Sequence, residues 1–220
     1  MIDPADVTVA LAQVRERIAA AGGDPATVAV LAVTKGFGAD AVRAALAAGL
    51  PAVGENYAAE LAEKFAALGG GGARWHFLGA VQRNKVPRLA PLVDCWQGVA
   101  RVEVGTAIAR HRPGASVLVQ VATSEAAGRN GVAPERVPTL VAALGDLGLA
   151  VDGLMAVAPP GPAAARAAFA RVRRLADDLS LTERSMGMTE DLEAAVAEGS
   201  TMVRIGRALF GARPGGPAPT

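Results

Sequence analysis

Lysine is scarce in this sequence. Of the 22 lysines and arginines in 220 residues, only Lys35, Lys64 and Lys85 are lysines, and every other one is an arginine. Arginine stays protonated and cannot form an imine, whereas a lysine amine can lose its proton and attack a carbonyl carbon. A lysine placed at the end of a buried strand is therefore a candidate for amine chemistry.

Cysteine and histidine are also nearly absent. Cys95 is the single cysteine, which excludes an internal disulfide bond and fits a reducing compartment, so we expect a cytoplasmic protein. The two histidines, His76 and His111, are too few and too far apart to suggest a metal site. We expect Cys95 to be a small buried side chain and not a nucleophile, because no histidine is expected beside it.

Long apolar runs and a strong excess of charge are missing as well. No apolar run reaches the ~18 residues that a membrane span needs. The start of the chain lacks a basic region followed by an apolar one, so we do not expect a signal peptide. A net charge of +1 argues against a large nucleic-acid interface, while a hydrophobic content of 51% predicts a folded domain with a sizeable core.

The strongest feature that is present is the apolar run from Val28 to Thr34, which ends in Lys35 and Gly36. An unbroken run of this kind predicts a strand buried on both faces. Lys35 then lies at the carboxyl end of that strand, where open α/β sheets and (β/α)₈ barrels bind their ligands. Burial there lowers the pKa of the amine and favours formation of a Schiff base. The alternative is a lysine that only solvates the strand end.

Helical and strand-like segments alternate along the whole chain. A helix is predicted over residues 4–22, before the first strand, because its apolar residues recur at helical spacing. Strands are predicted at 28–35, 52–57, 74–79, 93–98, 116–123, 149–158, 183–188 and 199–206. This pattern predicts an α/β fold, a single (β/α)₈ TIM-type barrel over residues 1–212 with an extra N-terminal helix, followed by a flexible tail at 213–220. A doubly wound sheet is the alternative.

Glycine-bearing segments follow the last two predicted strands, at Ser185–Met188 and around Gly206. Barrels commonly bind phosphate in these two loops, because glycine lets backbone N–H groups approach an anion closely. Ser200 and Thr201 offer hydroxyl donors nearby. A lysine on the first strand with a phosphate site on the last strands predicts a phosphorylated aldehyde or ketone as ligand. Pyridoxal 5'-phosphate (PLP) fits this description, and so does the sugar phosphate of an aldolase.

A set of motifs then occurs in a characteristic order over nearly the whole chain. They are Val-Thr-Lys at 33–35, Gly-Glu-Asn-Tyr at 54–57, Trp-His-Phe-Leu-Gly at 75–79, Ser-Met-Gly-Met at 185–188, Gly-Ser-Thr-Met-Val-Arg-Ile-Gly at 199–206 and Phe-Gly-Ala-Arg at 210–213. The set resembles the YggS-type pyridoxal phosphate homeostasis proteins, whose fold is similar to the barrel domain of bacterial alanine racemase. The resemblance implies a protein that carries and buffers PLP in vitamin B6 and amino-acid homeostasis.

The resemblance also implies roles for individual residues. It assigns cofactor contacts to Lys35, Asn56, Ser185, Met186, Ser200, Thr201, Arg204 and Gly206. Lys35 would hold PLP as an internal aldimine. The hydroxyls of Ser200 and Thr201, with the backbone near Gly206, would hold the phosphate. The serine and methionine of Ser-Met-Gly-Met would line the same pocket, and Asn56 would lie near the ring.

Arg204, which the resemblance places opposite the pyridine nitrogen, bears on whether the protein is an enzyme. Enzymes that use PLP as a strong electron sink place a carboxylate there, which keeps the ring protonated. A guanidinium cannot supply that proton and repels a pyridinium charge. The ring nitrogen should therefore stay neutral, which fits binding and delivery of PLP better than amino-acid chemistry.

Two enzymatic alternatives stay open. Alanine racemase adds a C-terminal β-domain and uses a catalytic tyrosine from its partner subunit, whereas we expect this chain to be one barrel with Tyr57 in a strand-end motif. A Schiff-base aldolase acting on a sugar phosphate is the other alternative, and absence of bound PLP would favour it. Without the β-domain and its dimer contacts we expect a monomer. Its expected partners are PLP and PLP-dependent apo-enzymes, with neither nucleic acid nor membrane.

Two positions depart from the family pattern. The family usually has a proline shortly after the lysine, where this chain has Gly36-Phe37-Gly38, and it often has a histidine where this chain has Ala80. Neither departure removes a predicted cofactor contact, but the shape of the loop after Lys35 is left open.

Overall fold

Eight parallel strands close into a barrel in the computed structural model, which describes residues 1–124 and 130–213. The strands are β1 Ala29–Val33, β2 Ala52–Glu55, β3 Arg74–Phe77, β4 Cys95–Val99, β5 Ser116–Val121, β6 Ala150–Ala156, β7 Glu183–Ser185 and β8 Met202–Ile205. Most are short and rich in valine, leucine, isoleucine and alanine, and most of their residues are buried. This is the pattern expected for strands covered on both faces.

Helices connect the strands and form the outer layer. They are α1 Pro4–Ala20, α2 Ala39–Ala47, α3 Ala58–Ala67, α4 Val86–Leu89, α5 Val102–His111, α6 Val137–Asp146, α7 Pro162–Asp178, α8 Leu192–Ala197 and α9 Arg207–Phe210. Short 3₁₀ turns at Arg83–Lys85 and Pro134–Arg136 lead into α4 and α6. Pro87 lies in the first turn of α4, where its missing N–H leaves no bond unmade.

Closure of the barrel joins the first strand to the last. Each strand pairs in parallel with the next, and β8 pairs with β1 with Leu31 opposite Arg204 and Ala32 opposite Ile205. Because all the strands are parallel, all their carboxyl ends lie on one rim. The predicted (β/α)₈ TIM-type barrel is confirmed, and the doubly wound alternative is excluded.

The predicted extra N-terminal helix is also present. The Asp3 side chain accepts a hydrogen bond from the Ala5 N–H and caps α1, and Pro4 occupies its first turn. The helix packs against α2, α8 and α9, and its apolar stripe is no more than 2% exposed. That stripe consists of Val7, Leu11, Val14 and Ile18. The helix therefore covers the seam where β8 meets β1.

The strand boundaries differ from the predicted ones mainly at the carboxyl ends. The first strand ends at Val33 and the second at Glu55, two residues earlier than predicted in each case. Lys35 and Asn56 accordingly lie in loops at the rim and not within the sheet. Among the described residues, no helix is both long and apolar enough to cross a bilayer.

We predict that α1 is part of the cooperative fold. Leu11 is 2% exposed, so Leu11→Ala removes buried apolar surface and leaves a cavity, at a cost of about 2–5 kcal/mol in unfolding free energy. Val9→Ala is the control on the same helix, because Val9 is 61% exposed and its truncation should change stability by less than about 0.5 kcal/mol. Urea unfolding followed by circular dichroism measures both. Equal stability of the two variants would show that α1 is not part of the fold.

Candidate cofactor site

A cavity of about 590 Å³ opens at the carboxyl rim of the barrel. Its wall is built from residues at the ends of seven strands and in the loops after them, because the parallel strands deliver their carboxyl ends to one place. Apolar side chains such as Phe37, Leu78 and Met155 form part of the wall. Four cationic side chains line it as well, namely Lys35, Arg204, Arg207 and Arg213.

Lys35 lies directly at this cavity, two residues beyond the end of β1. Burial lowers the pKa of its amine, and the positive charges of Arg213 and Arg204 lower it further. The carboxylates of Glu55 and Glu60 act in the opposite direction but do not cancel the effect. The predicted decrease in the pKa of Lys35 is therefore confirmed. A larger fraction of this amine is neutral at neutral pH than of an exposed lysine, which is the form that attacks an aldehyde.

Arg204 on β8 is 4% exposed and forms the buried cationic part of the wall. Its Nη1 donates to the carbonyl oxygen of Ser185 at 2.6 Å and to the Ser185 hydroxyl at 2.9 Å, and its Nη2 donates to the carbonyl oxygen of Ala156 at 2.8 Å. Burial lowers its pKa to about 10, so the guanidinium remains charged at neutral pH. Within residues 1–124 and 130–213 no carboxylate forms a salt bridge with it, which leaves its charge available to a ligand.

A chain of hydrogen bonds through the barrel interior fixes Arg204 from behind. The Ser185 hydroxyl, which accepts from Arg204, donates to Gln97 Oε1 at 2.7 Å. The Gln97 amide nitrogen then lies 2.8 Å from Nδ1 of His76. An amide nitrogen is only a donor, so Nδ1 of His76 accepts and the ring is neutral. Donation therefore runs from Arg204 through Ser185 and Gln97 to His76, and this chain holds the guanidinium in one orientation.

His76 also lies beside Cys95, contrary to the expectation that no histidine would be near this thiol. The two residues pair directly across β3 and β4. The second part of that expectation is confirmed, because Cys95 is buried and its pKa is raised to about 12, mainly by burial. Burial likewise lowers the pKa of His76 to about 4, so it does not deprotonate the thiol.

The structure brings four of the eight predicted site residues to the cavity wall. They are Lys35, Asn56, Arg204 and Gly206. Ser185 does not line the cavity but supports Arg204 through the bonds described above. Met186 is fully buried in the hydrophobic core, and its backbone N–H donates to the carbonyl oxygen of Met202.

Ser200 and Thr201 are not at the cavity. They precede β8, whereas Gly206 follows it, so the four residues of the strand separate them from the rim by ~13 Å. The Ser200 hydroxyl donates to the carbonyl oxygen of Met186 at 2.8 Å, and the Thr201 hydroxyl donates to Glu183 Oε2 at 2.9 Å. These bonds join the start of β8 to β7. The structure therefore does not bring these two hydroxyls to the cavity, because they lie at the amino end of the strand.

Three charged residues of the wall were not assigned to the site from the sequence. Arg207 begins α9 and is ion-paired with Glu190. Arg213 was assigned to the tail, yet its side chain packs close to Gly36 beside the reactive lysine. The Phe-Gly-Ala-Arg motif was the available signal for Arg213. The remainder of the predicted tail, residues 214–220, lies outside the described residues, and the flexible tail stays a prediction.

The described part of the chain contains no cluster of three or more histidine, cysteine or acidic side chains arranged to hold a metal ion. The protein is therefore a (β/α)₈ barrel with a cavity at the carboxyl rim. A partly buried lysine after the first strand and an arginine of the last strand line that cavity.

Comparison with known proteins places the chain within this class. The family model described as alanine racemase, N-terminal domain, matches residues 3–214. A pyridoxal phosphate homeostasis protein of Pseudomonas aeruginosa is 46% identical over 211 residues, covering 92% of each chain. The protein of that name in Deinococcus radiodurans is 41% identical, covering 93% of this chain and 99% of its own. The chain belongs to the alanine racemase N-terminal domain family and, within it, to the pyridoxal phosphate homeostasis proteins.

A solved structure agrees with this assignment. PipY of Synechococcus elongatus, determined with PLP bound, superposes with a TM-score of 0.77 at 32% identity, covering 90% of this chain and all of PipY. The same protein without PLP superposes with a TM-score of 0.80.

We predict that His76 makes stability depend on pH. Its ordinary pKa of 6.5 falls to about 4 in the fold, so the unfolded chain binds the proton more readily. Its contribution is therefore fully present above pH ~6.5 and is lost as the pH falls toward 4, by roughly 3 kcal/mol. The unfolding free energy of His76→Asn should lack this part of the decrease. His111→Asn, at an exposed histidine, is the control and should keep it. Identical pH profiles for His76→Asn and the wild type would contradict this account.

Proposed function

We propose that this protein binds PLP in the rim cavity through Lys35 and carries and buffers it in vitamin B6 and amino-acid homeostasis. The observation that carries the proposal is that Lys35 and Arg204 line the same cavity. The Lys35 amine is partly buried and has a lowered pKa, and the buried Arg204 guanidinium forms no salt bridge with a carboxylate of the described residues. The relatives named as pyridoxal phosphate homeostasis proteins and the PLP complex of PipY support it.

The residues of the cavity fit such a ligand. PLP carries an aldehyde and a phosphate, and the wall offers an amine together with an excess of positive charge, since Glu190 is already paired with Arg207. Gly206 follows β8 directly, is partly exposed and lines the cavity, so its backbone is available to a ligand there. We assign Lys35 to the aldehyde, Gly206 to the phosphate end, Arg204 to the ring nitrogen and Asn56 to the ring. Ser185 acts through Arg204.

We further propose that the protein is a carrier and not an enzyme. When its ring nitrogen is protonated, PLP supplies an electron sink for carbanions. Arg204 has no proton to give at neutral pH, and its bonds to Ser185 and Ala156 prevent it from turning away. Tyr57 is 60% exposed and does not line the cavity, so it does not serve as a second base there. The names of the relatives, which are homeostasis proteins, support this proposal.

The remaining parts of the proposal concern partners and place. We propose that PLP-dependent apo-enzymes receive the ligand, because the cavity opens at the barrel rim where another protein can approach. We propose a monomer, which light scattering over a range of concentrations tests. The cytoplasm remains the expected location, since Cys95 is a buried free thiol.

Absorption spectroscopy tests the binding proposal. Titration of the wild type with PLP should produce the visible band of an imine, and Lys35→Ala should lose that band because the other two lysines are not at the cavity. Lys85→Ala, at an exposed lysine outside the cavity, is the matched control and should keep it. A band of wild-type strength in folded Lys35→Ala, or no band in the wild type, would refute covalent binding at this residue.

Racemisation assays test the carrier proposal. PLP-loaded protein mixed with L-alanine should form D-alanine no faster than free PLP at the same concentration, because the arrangement at Arg204 does not favour carbanion formation. Loaded Lys85→Ala provides a second preparation for the same assay. Turnover that depends on the protein and disappears in Lys35→Ala would instead establish an enzyme.

A further inference from the structure

The backbone on both sides of Lys35 is tied to a cluster of charged side chains on β2 and α3. Before Lys35, the Thr34 hydroxyl donates to Glu55 Oε1 at 2.5 Å. After Lys35, the Gly36 N–H donates to Glu60 Oε2 at 2.8 Å. Lys35 thus lies between two residues, Thr34 and Gly36, that are each hydrogen-bonded to a glutamate of this cluster.

Lys64 joins these two ties. Its side chain is 6% exposed, and its Nζ donates to Glu55 Oε1 at 2.6 Å, to the Thr34 carbonyl oxygen at 2.7 Å and to Glu60 Oε2 at 3.1 Å. An ammonium has three donors, and all three are used. A buried ammonium needs such partners, because leaving it unpaired costs several kcal/mol. The position of the Glu60 carboxylate is therefore anchored from inside the protein.

The loop after Lys35 depends on such an anchor. Gly36 has a φ of +77°, a left-handed conformation that glycine adopts freely, and it is exposed. A glycine also has the largest choice of alternative conformations, so a bond to its N–H restricts it more than it would restrict another residue.

We propose that Glu60 is a positioning residue for Lys35, which holds the Gly36 backbone so that the amine faces the rim cavity. This proposal deepens the proposed function, since the amine it positions is the one assigned to the PLP aldehyde. Glu60 does not line the cavity and acts only through Gly36 and through its charge. Its side chain is 30% exposed, so it can be replaced without opening the core.

The charge of Glu60 gives the proposal a second consequence. Burial, Arg213 and Arg204 lower the pKa of Lys35, whereas Glu55 and Glu60 raise it. Lys64 pairs with both carboxylates. Removal of the negative charge at Glu60 should therefore lower the pKa of Lys35 further. Glu60→Gln removes the charge but keeps an oxygen that can accept from Gly36, whereas Glu60→Ala removes both.

The first experiment needs no ligand. With only three lysines, protein labelled with ¹⁵N-lysine gives three side-chain signals, and Lys35→Ala and Lys85→Ala assign them. The pKa of Lys35 should fall in both Glu60→Gln and Glu60→Ala. Hydrogen exchange at the Gly36 amide should accelerate by roughly tenfold in Glu60→Ala, which corresponds to one lost hydrogen bond, and stay near the wild-type rate in Glu60→Gln. Glu63→Gln and Glu63→Ala, at an exposed glutamate of the same helix, should change neither quantity.

The second experiment measures imine formation with PLP at a pH where Lys35 is neutral in every variant. Glu60→Gln should react at the wild-type rate, and Glu60→Ala should react roughly tenfold more slowly because its amine is misplaced. Wild-type exchange at Gly36 together with a wild-type rate in Glu60→Ala would overturn the proposal, as would an unchanged pKa of Lys35 in Glu60→Gln. If the wild type forms no imine, the proposed function fails, and the ligand-free measurements still decide the role of Glu60.

Discussion

The pairing of β8 with β1 is the constraint on which the site depends. It closes the barrel, and its register sets Arg204 opposite Leu31, four residues before Lys35. The first and the last strands of the chain thereby supply the amine and the guanidinium of one cavity. The seam is covered by α1, which packs against α2, α8 and α9 around this junction. A change that loosens this seam should consequently also disturb the geometry of the site.

Electrostatic balance around Lys35 follows from that closure. Three arginines line the cavity together with Lys35, and their positive charges disfavour the protonated form of its amine. Burial lowers the pKa of the amine, as do Arg213 and Arg204, and the carboxylates of Glu55 and Glu60 oppose this decrease. Burial also raises the pKa of Glu55, with Lys64 and Thr34 opposing the rise. The carboxylates of Glu55 and Glu60 therefore act on the charge of Lys35 without lining the cavity.

The fold and part of the site could be predicted from the sequence, for identifiable reasons. Every predicted strand exists, because local apolar runs bounded by glycine specify strands well, and the stripe of α1 follows from helical spacing alone. The ends of strands are less well specified, and two residues correspond to ~7 Å along a strand. The contacts of Ser200 and Thr201 were implied by the family resemblance and not by the strand pattern, and the structure places both residues just before β8. The role of Lys64 was equally hidden, because two of its partners, Thr34 and Glu55, come from other parts of the chain that only the folded barrel brings to it.

The central claim is that Lys35 forms the covalent bond to PLP. Reduction of the PLP-treated protein with borohydride, followed by peptide mass mapping, tests it most directly, because reduction makes the bond permanent at whichever lysine holds it. The account predicts the mass of one reduced pyridoxyl phosphate group on the peptide that contains Lys35 and unmodified peptides at Lys64 and Lys85. The same mass on the Lys85 peptide, or an unmodified Lys35 in protein that has absorbed PLP, would contradict the account.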